Sequence, residues 1–359
     1  MTQAERALVT IDDYEDRTRE LLASDVYDYY AGGAGDEWSL RENRRAFERV
    51  VLRPRVLVDV STIDVSTTVL GERLGMPVVA APMALQRMAH PEGEVATARG
   101  VQQSGSIMTL STLASCTIEE VAAGAGPRWF QLYVLEDRDH TAELVKRAHA
   151  AGYTALVLTA DLPVLGIRDR DERNSFSVPE GVEFANLAVK RPHDTDGSEV
   201  FEYVLSEHDR TLTWDDMAWI RSLAPLPLVL KGIVTAEDAR LAVEVGAEGI
   251  VVSNHGGRQL DGTIPSVEAL PEVVRTVDGR AEVLFDGGVR RGTDVLKALA
   301  LGARAVMVGR PLLWGLAVDG ASGVHRVLHI LRLELENAMA LAGCRSVAEI
   351  TPQLVRRSL

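Results

Sequence analysis

Ten residues, Ser253 to Gly262 (SNHGGRQLDG), carry the strongest chemical signal in the chain. His255 and Arg258 flank Gly256 and Gly257, directly after the apolar run Gly249-Ile250-Val251-Val252. An imidazole can take a proton near neutral pH. A guanidinium fork can hold a carboxylate through two hydrogen bonds. Paired glycines admit left-handed backbone and let a ligand approach the main chain. A base beside a carboxylate clamp is equipment for taking a proton from a small acid. Read alone, the stretch is equally compatible with a solvated loop, so the elements that position it decide.

From about residue 76 short apolar runs alternate with helical stretches. The runs are 77–81, 107–110, 129–133, 155–159, 228–231, 249–253, 283–286 and 305–308. Helical patterns between them include Glu92 to Gln103, Asp137 to Ala151, Thr235 to Val245 and Thr293 to Leu301. Strands apolar on both faces, each followed by a helix, predict a parallel sheet. Eight such units predict an α/β fold, a closed (β/α)8 TIM barrel. A doubly wound sheet is the alternative, but no GxGxxG motif opens the pattern.

The chain reads as one domain. Residues 1–70 form an N-terminal helical segment, with a helix from Glu37 to Val50 and three tyrosines (Tyr27, Tyr29, Tyr30) before a glycine-rich stop. Residues 71–342 form the barrel, and an amphipathic helix from Ser322 to Ala342 follows its last strand. The rhythm fails after strand four, where a long loop is predicted; its polar part, 176–209, is expected to be a mobile lid over the active site.

Active sites of such barrels lie at the C-terminal strand ends. Here those ends carry Pro82-Met83-Ala84, Ser111, Gln131 and Tyr133, then Thr159 and Asp161, Lys231, and Ser253, His255 and Arg258. The last two carry Asp286-Gly287-Gly288-Val289-Arg290 and Gly309-Arg310. Loops after strands seven and eight often bind phosphate, and glycine N–H groups with Arg290 and Arg310 suit a phosphate monoester. A buried Lys231 calls for an anionic partner. A flavin that becomes anionic on reduction is one, with Ser111, Gln131 and Thr159 at the ring edge. Pyridoxal phosphate, with Lys231 as its Schiff base, is the competing cofactor.

The net charge of −14 over 359 residues argues against a nucleic-acid partner. No apolar run reaches membrane-spanning length. The two cysteines, Cys116 and Cys344, and the start MTQAERALVT suggest a reduced cytoplasmic protein. No metal-ligand spacing is present, so no metal is expected.

Taken together, SNHGGRQLDG, DGGVRRGTDVLKALALGA, VGRP, KGIVTAEDARLA, HPEGE and VYDYYAGGAGDEW resemble the FMN-dependent L-2-hydroxy acid oxidases and dehydrogenases. That family includes glycolate oxidase, lactate oxidase, mandelate dehydrogenase and hydroxymandelate oxidase. The resemblance runs from about residue 8 to 350 and implies FMN as cofactor. It implies a catalytic set of His255 as base, Asp161 as its partner, and Tyr133. It implies that Arg168 and Arg258 bind the substrate carboxylate, with Tyr29 and Tyr133 hydrogen-bonding substrate. It implies FMN contacts from Pro82, Met83, Ala84, Ser111, Gln131, Thr159, Lys231, Ser253, Asp286, Gly287, Gly288, Arg290, Gly309 and Arg310.

Two positions depart from plant-type glycolate oxidases: Leu113 stands where they carry tryptophan, and Met83 where they carry threonine. Leucine opens apolar volume and methionine adapts to irregular shapes. The expected substrate is therefore aromatic, (S)-mandelate or 4-hydroxymandelate, oxidised with O2 reduced to hydrogen peroxide. Lactate or glycolate, and an acceptor other than O2, are the alternatives. A flavin protein without turnover and an FMN-dependent isomerase of the isopentenyl diphosphate type fit less well with His255, Arg258 and Arg168. A homo-oligomer, tetramer or octamer, is expected.

Overall fold

Eight short parallel strands close on themselves in the computed structural model, which describes residues 7–124, 126–187 and 207–358. Three short strands precede the barrel: β1 (Val50–Leu52) and the hairpin of β2 (Thr67–Val69) and β3 (Glu72–Leu74). The barrel strands are β4 (Val78–Ala80), β5 (Met108–Ser111), β6 (Arg128–Leu132), β7 (Leu156–Thr159), β8 (Leu228–Ile233), β9 (Gly249–Val252), β10 (Glu282–Asp286) and β11 (Ala305–Val308). They pair in chain order, and β11 returns to β4. All eight expected strands form, within a residue or two of their expected ends.

The runs look continuously apolar because each strand is buried on both faces. Side chains nevertheless alternate. Outward residues such as Phe130, Leu158, Leu230, Ile250 and Phe285 join the large core under the helices. Inward residues Val79, Trp129, Val157, Val229, Val251 and Leu284 form a separate interior cluster. Val69 and Leu74 of the β2–β3 hairpin belong to that cluster, so the hairpin plugs the barrel at the N-terminal strand ends. The sequence reading contains no such hairpin.

Of the segment 1–70 expected to be helical, helices occupy only the described part up to Arg49; from Val50 onward it is strand and loop. α1 (Ile11–Leu21) opens with a capping box between Thr10 and Asp13. α2 (Ser24–Ala31) carries the tyrosines. The expected helix over Glu37 to Val50 is shorter: α3 spans Trp38–Arg45, a 3-10 turn follows, and Val50 enters β1. β1 pairs antiparallel with β12 (Val355–Arg357) at the far end of the chain, a partner that no local pattern announces. The final helix begins at Arg310, not Ser322, and continues to Ala342 through a kink at Asp319 and Gly320.

The expected lid divides. Residues 188–206 lie outside the described residues. Phe176, Val178, Val182 and Phe184 are buried rather than loose over the mouth. Asn186 accepts from Ile118 N at 2.9 Å and donates to Cys116 O at 3.1 Å, docking this part on the barrel. Among the described residues no helix is long and apolar enough to cross a membrane.

Candidate active site

Strand alternation puts a polar residue two positions beyond an inward apolar one on five strands. The pairs are Trp129 and Gln131, Val157 and Thr159, Val229 and Lys231, Val251 and Ser253, and Leu284 and Asp286. The polar members converge at the C-terminal end, beside a cleft. Tyr29, Pro82, Met83, Ala84, Ser111, Leu113, Gln131, Tyr133, Thr159, Arg168 and Lys231 line it. So do His255, Arg258, Asp286, Gly287, Gly288, Arg290, Gly309 and Arg310. Two expected residues do not, and both act from behind the wall. One is Asp161. The other is Ser253, which was expected among the FMN contacts and is fully buried. Its hydroxyl accepts from Lys231 Nζ and from His255 N, each at 3.0 Å. Ser253 therefore spaces two residues of the cleft wall.

His255 sits in left-handed backbone (φ 57°), followed by Gly256 and Gly257 in the same region. Such a run turns the chain sharply away from β9. A Cβ on Gly257 would stand 2.5 Å from Leu40 N of α3, so the turn packs directly on the N-terminal segment. His255 Nδ1 lies 2.9 Å from Asp161 Oδ1. That contact fixes the ring and leaves Nε2 to exchange a proton. Burial holds the imidazole below its ordinary 6.5; the Asp161 carboxylate opposes this and Lys231 reinforces it. Burial pushes the Asp161 carboxyl up, but His255 and Lys231 outweigh it and hold it below the usual range. The pair is thus a neutral base backed by a carboxylate.

Arg258 donates through Nη1 to the main-chain oxygens of Tyr29 (2.7 Å) and Gly32 (2.9 Å), which end α2. One arm of the fork anchors the residue, and the other N–H groups remain for an acid. Burial, with Arg168 next, draws its pKa down to about 10. The guanidiniums of Arg258 and Arg168 stand 5.2 Å and 6.0 Å from the Tyr29 ring centre. Burial raises the phenol pKa of Tyr29 and Tyr133, so both hydroxyls stay protonated as donors. Phe176 stacks on Tyr29 at 4.5 Å, closing that side.

Lys231 finds its anion within the protein. Its Nζ is 3.4 Å from Asp286 Oδ2. Burial lowers its pKa, but Asp286 and Asp161 more than offset this and raise it. A carboxylate two strands away thus serves as an anionic partner of Lys231 within the protein.

The donor set fits an FMN. Gln131 Nε2 donates to Thr159 Oγ1 at 3.0 Å, while its Oε1 accepts from Ser111 Oγ at 3.1 Å. This rung orients amide and hydroxyls at the cleft wall. Asp286 Oδ1 and Arg168 Nε are buried without a protein partner. Arg310 is half-buried, and its desolvation together with Arg258 and Arg290 lowers its pKa strongly. The Arg290 guanidinium has Glu15 4.0 Å away. Crowded, partly buried cations at one end of a cleft suit a phosphate dianion. In this structure Arg310 donates to the carbonyls of Tyr30, Gly256 and Gly32 at 2.8–3.0 Å, so it contributes charge more than free donors.

Sequence reading misses the residues that hold this loop in place. The amides of Asn43 and Asn254 exchange two hydrogen bonds, at 2.7 and 2.9 Å. Gln259 Nε2 donates to Asp161 O (3.0 Å) and Val164 O (2.9 Å), tying the Asp161 loop to the His255 loop. Asn254 and Gln259 flank His255 and Arg258 and were legible by position; Asn43 carries no local signal.

A family model described as FMN-dependent dehydrogenase matches residues 18–357. Glycolate oxidase 3 of Arabidopsis thaliana is 53% identical over 348 residues, 96% of this chain and 95% of the relative. L-lactate oxidase of Nostoc sp. is 53% identical over 351 residues, 95% of this chain and 96% of the relative. A solved structure of mandelate oxidase superposes with a TM-score of 0.92 at 45% identity, over 98% of this chain and 99% of that one. Mandelate oxidase solved with (S)-4-hydroxymandelic acid gives 0.92 at 46% identity, over the same 98% and 99%.

Proposed function

Because the chain belongs to the FMN-dependent dehydrogenase family, whose matched relatives include glycolate, lactate and mandelate oxidases, we propose that its substrate is an aryl (S)-2-hydroxy acid, mandelate or 4-hydroxymandelate. The products are the 2-oxo acid and hydrogen peroxide. When bound, FMN supplies the two-electron acceptor for the α-carbon and passes the electrons on to O2. The protein does the rest. Arg258 and Arg168 hold the carboxylate, and the protonated Tyr29 and Tyr133 orient the acid and its hydroxyl. His255 takes the hydroxyl proton at Nε2, and Asp161 stabilises the imidazolium that results. Arg290, Arg310 and the glycines of the last two loops would hold the FMN phosphate. Lys231, Gln131, Thr159, Ser111 and the 82–84 main chain would meet its ring.

The observation that carries this reading is the 2.9 Å contact of His255 with Asp161 beside a cleft that Arg168 and Arg258 line. The aryl preference rests on Met83 and Leu113, both buried in the cleft wall, with the apolar Leu162 and Leu165 nearby. A second reading, a small aliphatic acid, is favoured by the 53% identity to a glycolate oxidase and a lactate oxidase. Turnover of (S)-mandelate, 4-hydroxymandelate, lactate and glycolate, with O2 consumption recorded, separates them. Faster turnover of lactate or glycolate than of both mandelates overturns the aryl assignment. Reduction of the flavin without O2 uptake assigns another acceptor.

Two further parts of the proposal are a homo-oligomer, tetramer or octamer, and a cytoplasmic setting. The first is supported by the exposed apolar residues Val56, Leu57 and Leu341, and the second by two buried free cysteines.

A further inference from the structure

The HPEGE motif, His90 to Glu94, contributes no residue to the cleft, yet it ends in a fully buried carboxylate. Glu94 lies in the first turn of α4 (Gly93–Gln103). Its Oε1 accepts from Gln86 N at 3.0 Å and from Ser115 N at 2.9 Å. Its Oε2 accepts from Ser115 Oγ at 2.7 Å. Gln86 belongs to the loop after β4 and Ser115 to the loop after β5, so one side chain joins the two.

The bonds continue into the cleft wall. Gln86 Nε2 donates to Met83 O at 3.3 Å, and Thr97 Oγ1 donates to Gln86 Oε1 at 2.6 Å. Leu85 N donates to Leu113 O at 3.1 Å. Leu85 is left-handed (φ 53°), a conformation that a leucine keeps only where its surroundings impose it. Tyr30 OH donates to Leu85 O at 2.6 Å and helps to impose it. A Cβ on Gly93 would stand 2.8 Å from Arg87 Cγ and 3.1 Å from Arg87 N, so the glycine of the motif lets α4 seat against this turn.

A buried carboxylate is costly unless its lone pairs are met. An apolar residue would fill the same space, but it could not bridge three donors on two loops. We infer that Glu94 is a positioning residue. It sets the separation of Met83 and Leu113, and hence the range of acids admitted, and it fixes the 82–84 main chain against the flavin. The inference rests on the reading of the cleft as the site for FMN and a 2-hydroxy acid.

The test uses the FMN-loaded enzyme and the variants Glu94→Ala, Glu94→Gln and Ser115→Ala. Each is assayed with (S)-mandelate and (S)-lactate, and the visible absorption band of the bound flavin is recorded. Glu94→Gln keeps the parent ratio of kcat/KM between the two acids to within about twofold, because its amide oxygen still accepts both N–H groups. Glu94→Ala moves that ratio by about tenfold or more, mainly through KM, since small displacements of a cleft wall are amplified in rate. The flavin band shifts with it. Ser115→Ala, which leaves the two N–H bonds to Glu94 intact, moves both readouts less and in the same direction.

If Glu94→Ala and Ser115→Ala retain the ratio and the flavin band and lose only thermal stability, Glu94 is a brace and the inference is overturned. Should Glu94→Ala fail to fold, Ser115→Ala decides by the same two readouts. The parent enzyme tests the site reading separately: no turnover with any 2-hydroxy acid removes that reading, while the flavin band still reports on Glu94.

Discussion

The two ends of the barrel interior share the same strands and differ in every chemical respect. At the N-terminal end, Trp129, Val157, Val229, Val251 and Leu284 are fully buried against one another and the Val69–Leu74 hairpin. Two residues further along the same strands stand Gln131, Thr159, Lys231, Ser253 and Asp286. The first layer holds the strands together by removing apolar surface from water. The second buries charge and amide groups that folding alone would not choose. Stability and chemistry are thus separated by two residues along each strand, about 7 Å.

That separation can be broken from either side. The largest effect is expected at His255. His255→Ala should lower kcat by about 10²- to 10⁴-fold, the range for loss of a general base. FMN should stay bound, because the histidine meets substrate and not phosphate. Anaerobic bleaching of the flavin absorbance by substrate measures it, and bleaching at the parent rate would remove His255 from the base role.

Next come the paired layers. Lys231→Met strands the Asp286 carboxylate and should cost about 3–5 kcal/mol of stability by denaturant unfolding. The double variant Lys231→Met/Asp286→Leu should recover most of that loss yet turn over no substrate. Leu284→Ala, two residues before Asp286, should cost about 2–5 kcal/mol while leaving kcat/KM unchanged. If the double variant stays unstable, the upper layer serves folding and the division between the layers fails.

The smallest effect is in the pH profile. Burial holds the His255 pKa below 6.5 in the folded protein. kcat/KM should therefore rise with pH through an inflection below 6.5 and be level at neutrality. The unfolded chain takes that proton first, so the stability His255 contributes is complete above 6.5 and declines as pH falls from there towards the folded value. Asp161→Asn removes the charge that favours the imidazolium and should move the inflection lower still. An inflection that moves up would mean the carboxylate does not act on the ring.

The barrel is legible because eight apolar runs repeat with helical stretches between them, and the upper layer because a polar residue ends each later run. Lys231 and Asp286 are both visible in sequence, but their pairing is not. It depends on β9 lying between β8 and β10 and on a shared inward register. Asn43 meets Asn254 only after the N-terminal segment folds onto the barrel. The β2–β3 hairpin is short and mixed in polarity (Thr67–Val69, Glu72–Leu74), so neither alternation nor length marks it. The buried role of Glu94 depends on two loops whose approach no spacing encodes.

The pairing of β1 with β12 joins Val50 to Arg357, about 300 residues apart. The segment so anchored also supplies Tyr29 to the cleft and Leu40 and Asn43 to the His255 turn. On the ribosome, these first residues emerge long before anything they will bind. A nascent chain halted after β8 holds Asp161 and Lys231 but lacks His255, Arg258 and the phosphate loops. Synthesis thus completes the cleft last, when the loops after β9, β10 and β11 have followed. The cost of that order is kinetic, since contacts so distant in sequence form slowly.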